Sequence, residues 1–249
     1  MQLPGGGVLR LQSWGNRVEN ELFWRGWNGH EPLERALWVR LVGDGGDILD
    51  IGANTGTFAL MAKALSPSSR VIAFEPLARV AGRIETNLKV SGLDVTIVNA
   101  AVSDTPGELP IHDPGGENAY SASLDPDFLA GEKDCYLVPV VSIDSYCADH
   151  GLDPLTIKLD VEGAEAQALL GARQVLSHRR VRILCEWLGS SQSHLRAQAL
   201  LAELGYVAAD MNGLAPVDLG QSKSHGDRNI LIAQPEVIAS LRRATAPVT

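Results

Sequence analysis

Apolar positions follow two alternating rhythms along the chain, short unbroken runs and stretches that repeat every three to four residues. Pro32 suits the first turn of a helix, and Leu33, Ala36, Leu37 and Leu41 then recur at helical spacing until the glycines at 43–46. Asp47-Ile48-Leu49-Asp50-Ile51 reads as a short buried strand. Phe58, Met61, Ala62 and Leu65 predict a helix starting just after Gly56, and residues 70–74 a second strand. Leu77, Val80, Ile84 and Leu88 mark the next helix, with Gly92 as its cap, and residues 95–98 the third strand. Residues 155–159 form the fourth strand, with Leu169, Leu170 and Leu176 on the helix after it, and residues 181–185 the fifth. A helix over 195–204 ends at Gly205, and residues 206–209 and 229–233 read as the last strands. Strands alternating with helices imply one α/β domain with a parallel sheet of about seven strands and crossover helices.

Two stretches break the rhythm. Pro106, Gly107, Pro110, Pro114, Gly115, Gly116 and Pro126 make residues 103–136 an irregular segment, interrupted by short strands at 109–111 and 136–141. The front of the chain carries Trp14, Trp24, Trp27 and Trp38, with Trp187 far downstream. Trp38 reads as core; Trp24 and Trp27 stay open between a substrate lid, a subunit contact and plain packing. The organisation expected is a helical segment at 1–46, serving as lid or oligomer contact, a main domain at 47–240 and a flexible tail at 241–249.

Composition narrows the classes. With 249 residues, 45% apolar and 20% charged, the chain can bury a sizeable core. A net charge of -9 disfavours a duplex nucleic-acid binder, which needs a dense cationic surface. The small cluster His178, Arg179, Arg180 and Arg182 reads as a solvated helix end. No apolar run suits a membrane span, no signal peptide is read, and a cytoplasmic location is the expectation. Cys135, Cys147 and Cys185 form no Cys-x-x-Cys pair and read as buried thiols rather than a disulfide or zinc framework.

The chemistry begins where the first strand ends, in Asp50-Ile51-Gly52-Ala53-Asn54-Thr55-Gly56-Thr57. Gly52 and Gly56 open a tight turn, and ligands of open α/β sheets bind at such carboxyl ends. A dinucleotide fingerprint needs a second glycine for close approach of a pyrophosphate; Asn54 stands there instead, and Thr57 replaces the third. S-adenosylmethionine (SAM) carries no phosphate and tolerates Asn54. Glu75, ahead of Pro76 at the end of the second strand, can accept both hydroxyls of a ribose. Ala100 and Ala101 after the third strand leave room for an adenine ring. The fourth strand ends in Lys158-Leu159-Asp160-Val161-Glu162-Gly163-Ala164-Glu165. Glu162 and Glu165 read as solvated acids at a helix start, whereas Asp160 lies at the strand end beside the cofactor.

These segments, with Asn87, Ala100-Ala101-Val102-Ser103-Asp104, Val141-Ser142-Ile143-Asp144, Gly171-Ala172 and Asn229-Ile230-Leu231, resemble the FkbM-type family of class I SAM-dependent methyltransferases. The resemblance spans residues 31–233, and the 158–165 run is its most specific part. It implies a Rossmann-like α/β fold: a seven-stranded, mostly parallel sheet with helices on both faces and an antiparallel last strand. It also implies SAM as methyl donor and, mostly, oxygen acceptors on sugars, polyketides or other natural products.

The cofactor-binding set expected is Glu31, Asp50, Gly52, Ala53, Asn54, Thr55, Gly56, Glu75, Pro76, Ala100, Ala101 and Asp160. Glu31, a helix-start carboxylate, is expected to reach the SAM amino group. A hydroxyl acceptor must lose its proton, and Asp160 is the first candidate to take it, then Glu162, then Glu186 at the end of the fifth strand. Strand-end acids also resemble the layout of metal-dependent O-methyltransferases, but a divalent metal is disfavoured because no complete acidic ligand set is visible. His112 and His225, in loops on the substrate side, read as surface histidines. The expected partner is a small-molecule or glycosidic substrate, with neither nucleic acid nor membrane, and a homo-oligomer stays open. Two rival classes are a nicotinamide-dependent reductase and a SAM-binding module without catalysis.

Overall fold

A computed structural model describes residues 1–15, 17–115, 122–124, 134–178, 180–188, 191–220 and 229–243. In chain order the elements are α1 (Arg17–Arg25), α2 (Pro32–Val42), β1 (Asp47–Ile51), α3 (Thr57–Leu65), β2 (Val71–Phe74), α4 (Ala78–Ser91), β3 (Thr96–Val98), β4 (Ala101–Val102), β5 (Gly107–Asp113) and β6 (Asp134–Val141). They continue with α5 (Ile143–His150), β7 (Pro154–Leu159), α6 (Glu165–Leu170), α7 (Arg173–Leu176), β8 (Arg182–Glu186), α8 (Gln192–Glu203), β9 (Val207–Asp210), β10 (Pro216–Val217), β11 (Asn229–Ala233) and α9 (Pro235–Arg243).

The main sheet runs β10-β9-β11-β8-β7-β1-β2-β3. β1 pairs in parallel with β2 and with β7, and β11 is antiparallel to both β8 and β9. This is the α/β, Rossmann-like class read from the sequence, with one correction. An eighth strand, the two-residue β10, extends the edge beside β9. Because the chain winds outward through β2 and β3 and then returns to β7 on the other side of β1, the carboxyl ends of β1 and β7 part to leave a crevice.

Each face of the sheet buries its own core. Leu49, Ile51, Ile157, Leu159, Ile183 and Cys185 pack on one face with α5 to α8. Ile48, Ala73, Leu184 and Leu231 pack on the other with Trp38, Phe58 and Leu60. Strand residues buried on both sides explain why these runs are continuous rather than alternating. Trp38 is fully buried and donates its Nε1 hydrogen to the Phe58 carbonyl at 3.0 Å.

Several expectations change. The short strands read at 109–111 and 136–141 are present but longer, as β5 and β6, which pair antiparallel over seven positions and join β4 in a second sheet, β4-β6-β5. Pro110 is tolerated because it stands on β5, the edge strand. His112 lies on β5, not in a loop. The helix after β7 is split into α6 and α7 at Gly171, where a Cβ would stand 2.3 Å from the Ser103 carbonyl. The segment at 1–46 is not wholly helical, since Gln2 bridges Val8 and both Leu3 and Leu9 join the core. Residues 241–243, expected in a tail, are helical in α9. Cys135 is exposed, whereas Cys147 and Cys185 are buried. Arg182, expected in solvent, is buried and paired with Asp44. Expectations on Arg179, Pro126, His225 and residues 244–249 lie outside the described residues. Among the described residues no helix is long and apolar enough to cross a membrane.

Candidate functional site

A cleft of ≈ 960 Å³, partly open to solvent, lies at the carboxyl ends of β1, β2 and β7. One wall is the turn after β1. Gly52 has φ +80, and a Cβ there would stand 1.8 Å from the Asp160 carbonyl oxygen, so glycine is required twice over. The amides of Gly52 and Ala53 both donate to the Phe74 carbonyl, at 3.0 and 2.9 Å, strapping the turn to β2. Asn54 is also left-handed, at φ 52, a conformation asparagine tolerates better than most residues. Thr55 and Thr57 line the cleft; Gly56 does not. At Gly56 an added Cβ would meet Ile84 and Leu60 at 2.8 Å each, so that glycine serves helix packing.

Asp50 lines the cleft but is committed to the fold, since its Oδ2 accepts the Ala59 amide at 2.8 Å in the first turn of α3. Burial pushes its carboxyl up to about 6 against the attraction of Lys158. Glu75 accepts the Asn54 amide on Oε2 and the Leu77 amide on Oε1, both at 3.0 Å. Burial nevertheless raises it to about 7, because two backbone donors compensate only part of the lost hydration. Asn99 clamps the adjoining backbone by donating to the carbonyls of Glu75 and Pro76 at 2.8 Å. Pro76, Ala100 and Ala101 line the same side, and Ile111 with Leu124 brings the second sheet over it.

The opposite wall is acidic. Lys158 points its ammonium to Asp160 Oδ2 at 2.6 Å, with only 6% of its side chain exposed. The same nitrogen lies 4.5 Å from the centre of the Phe58 ring. Burial would favour a neutral lysine, but the charges of Asp160, Glu31 and Asp50 outweigh it and raise the ammonium's pKa. Burial likewise works against an ionised Asp160, yet Lys158 and hydrogen bonds from Glu186 and Lys158 hold it below its ordinary value. Glu186 is pushed up to about 9 by burial and by the neighbouring Asp160 charge. Glu162 sits in the turn after β7 at φ 53, and its carbonyl accepts from Ser123 Oγ at 2.5 Å.

The fold thus brings all three acid candidates together. Asp160, Glu162 and Glu186 each place one oxygen within 4.8 Å of the others. That corrects the expectation that no complete acidic set exists. Lys158 supplies positive charge to this group from within the protein. Asp160 and Glu162 line the cleft, whereas Glu186 does not. Glu165, expected in solvent, is fully buried; it accepts the Gly163 amide at 2.9 Å, and burial raises it to about 8.

Glu31 caps α2 in a left-handed conformation, φ 46, and faces the cleft. Burial raises its pKa, with Lys158 opposing. His30 Nε2 lies 3.6 Å from Glu31 and Nδ1 3.4 Å from Glu21. Val18 of α1 reaches the cleft, while Phe23 and Trp24 on the same helix are 76% and 80% exposed. Trp27 stacks instead on Arg35, 5.3 Å from ring centre to guanidinium.

Sequence reading missed Lys158 and Thr57 as site residues. Lys158 carried a signal: a cation between Ile157 and Leu159 in a buried strand must find an anion, and Asp160 two positions on shares its face. Thr57 carried none. Its Oγ1 is buried without a partner among the described residues and lines the cleft, an orphaned donor that a bound ligand would satisfy. With Glu75, Ala100 and Ala101 this hydroxyl gives the cleft a fixed carboxylate, small apolar residues and an orphaned donor, a set chemically compatible with SAM.

Residues 50–208 match the family model described as methyltransferase FkbM domain. The chain is 28% identical over 147 residues to 2-O-methyltransferase NoeI of Sinorhizobium fredii, covering 53% of this chain and 60% of that protein. It is 34% identical over 87 residues to AMB antimetabolite synthetase AmbE of Pseudomonas aeruginosa, covering 35% of this chain and 4% of that protein. The chain therefore spans less than two thirds of the length of either relative. Among solved structures, methyltransferase FkbM from Methylobacillus flagellatus aligns with a TM-score of 0.49 at 17% identity, over 76% of this chain and 43% of that one.

Proposed function

The chain belongs to the FkbM methyltransferase family, and on that premise we propose that it methylates a hydroxyl of a sugar or other small natural product, with SAM as donor. The observation that carries this reading is the meeting of the Gly52 turn with the Asp160 strand end, which sets the glycine turn against a carboxylate paired with a buried ammonium. SAM, when bound, supplies an electrophilic methyl carbon on a sulfonium.

The chain's residues divide the remaining work. Glu75 accepts the ribose hydroxyls, Ala100 and Ala101 leave room for the adenine, Thr57 donates to the amino-acid end and Glu31 receives its ammonium. Asp160 takes the proton of the acceptor hydroxyl as the oxygen is methylated, and Glu162 flanks the same approach. Holding acceptor and donor in line accounts for much of the rate, up to about 7–11 kcal/mol in favourable cases. The segment before α2 contributes Val18, His30 and Glu31 to the cleft, which supports a role in enclosing the acceptor. The likeness to a protein named 2-O-methyltransferase supports oxygen as the target.

The test is a panel of neutral sugars, glycosides and hydroxylated natural products incubated with isotope-labelled SAM, with magnesium and with chelator, read by mass spectrometry. Calorimetry with SAM and NADH runs in parallel. Asp160→Asn is expected to bind SAM and lose turnover by about 10²–10⁴-fold. Turnover that survives intact removes Asp160 as the base, and NADH binding in place of SAM overturns the reading.

A further inference from the structure

We propose that Lys158 is the positioning residue of the acceptor wall, its buried ammonium, locked between Asp160 and the Phe58 ring, deciding that Asp160 rather than Glu186 is the standing anion of the carboxyl cluster. A lone ammonium inside a parallel sheet is costly, so its partner geometry is constrained. Two contacts fix it: Asp160 Oδ2 at 2.6 Å on the same face of β7, and the face of Phe58 at 4.5 Å.

The charged groups around it come from every neighbouring element. β7 supplies Asp160 and β1 supplies Asp50, which lies opposite Lys158 in the strand register. The start of α2 supplies Glu31, with His30 beside it. β8 supplies Glu186, the turn after β7 supplies Glu162, and the start of α6 supplies Glu165. Among the described residues, Lys158 is the buried cation placed against Asp160, and its hydrogen bond goes there. Glu186, hydrogen-bonded to Asp160 and lacking so close a cation, is the member that keeps a proton. The cluster then presents one anion with one carboxylic acid behind it, instead of two anions in mutual repulsion.

Asp160's role toward an acceptor rests on the methyltransferase reading above; the division of charge does not. The experiment is a carbon-13 NMR titration of side-chain carboxyls, with Asp160→Asn and Glu186→Gln used for assignment, on the wild type, Lys158→Arg and Lys158→Met. In the wild type, Asp160 is expected to stay ionised from about pH 5 to about pH 9 while Glu186 titrates on the alkaline side. Lys158→Arg keeps this order. In Lys158→Met the Asp160 midpoint rises by about one pH unit or more. An unchanged Asp160 midpoint in a folded Lys158→Met overturns the proposal. So does a wild type in which Asp160 is protonated at neutral pH and Glu186 is ionised, which decides the matter even if Lys158→Met fails to fold. Absence of methyl transfer together with the expected wild-type titration sinks the methyltransferase reading and leaves this assignment standing.

Discussion

Gly52 and Asp160 approach so closely that no side chain fits between them, since a Cβ on Gly52 would stand 1.8 Å from the Asp160 carbonyl oxygen. The Asp160 amide also donates to the Ile51 carbonyl at 3.0 Å. One backbone contact therefore sets both walls of the cleft. Gly52→Ala must move the turn, the acid strand end or both, and adds left-handed strain of about 1 kcal/mol or more. Its expected outcome is a lowered melting temperature and at least tenfold weaker binding of S-adenosylhomocysteine by calorimetry. Unchanged binding would mean that the turn does not shape the cleft.

Glu75 is held by two backbone amides at 3.0 Å, so its carboxylate is aimed before any ligand arrives. Hydrogen bonds to charged groups contribute about 1.5–3 kcal/mol. Glu75→Gln keeps the volume but replaces one acceptor oxygen by a donor, facing the Asn54 or Leu77 amide. Affinity for S-adenosylhomocysteine should fall by about 10–100-fold with the fold retained, as circular dichroism would report.

Glu165 predicts how stability depends on pH. Its folded value, about 8, lies above the ordinary 4.5 because burial disfavours the anion. The folded state therefore holds a proton that the unfolded chain releases in that interval. The resulting stabilisation is fully present below 4.5 and is lost as pH rises towards 8. Glu75, shifted to about 7, acts in the same sense. Denaturant midpoints should fall as pH rises through this window, and Glu165→Gln should flatten the decline. A midpoint that climbs with pH over the same range would contradict the buried, protonated assignment.

Leu9 is fully buried and Trp24 is 80% exposed, although both precede the main domain. Leu9→Ala should destabilise by about 2–5 kcal/mol, as loss of a core side chain does. Trp24→Ala should stay within about 0.5 kcal/mol of wild type. Urea titrations of the two variants separate a front segment that belongs to the core from one that is merely attached.

Much of the layout was legible from residue order alone. Ile48, Leu49 and Ile51 lie in an unbroken run, which a strand covered on both faces demands, and Gly92 ended α4 as read, in the left-handed region at φ 66. The turn at 50–57 and the acids at 160–165 were visible as chemistry before any geometry. What was misread concerns environment rather than type. Glu165 and Arg182 look like solvent residues by charge, yet both are buried, one protonated by burial and the other paired with Asp44 138 positions away. The strands at 109–111 and 136–141 were legible, but not their pairing into a second sheet, because pairing depends on contacts remote in sequence.

By itself the sequence determined the alternation of strands and helices, the glycine turn and the family, since periodicity, turn chemistry and motif spacing are local properties. Only the tertiary structure decided which charges share a site. Lys158 and Asp160 meet because alternate residues of a strand share one face, but Glu186 and Glu31 reach them from β8 and α2 through folding alone. The state of each carboxyl then follows from how much water burial removes and how near the Lys158 ammonium lies, quantities that exist only once the chain is packed.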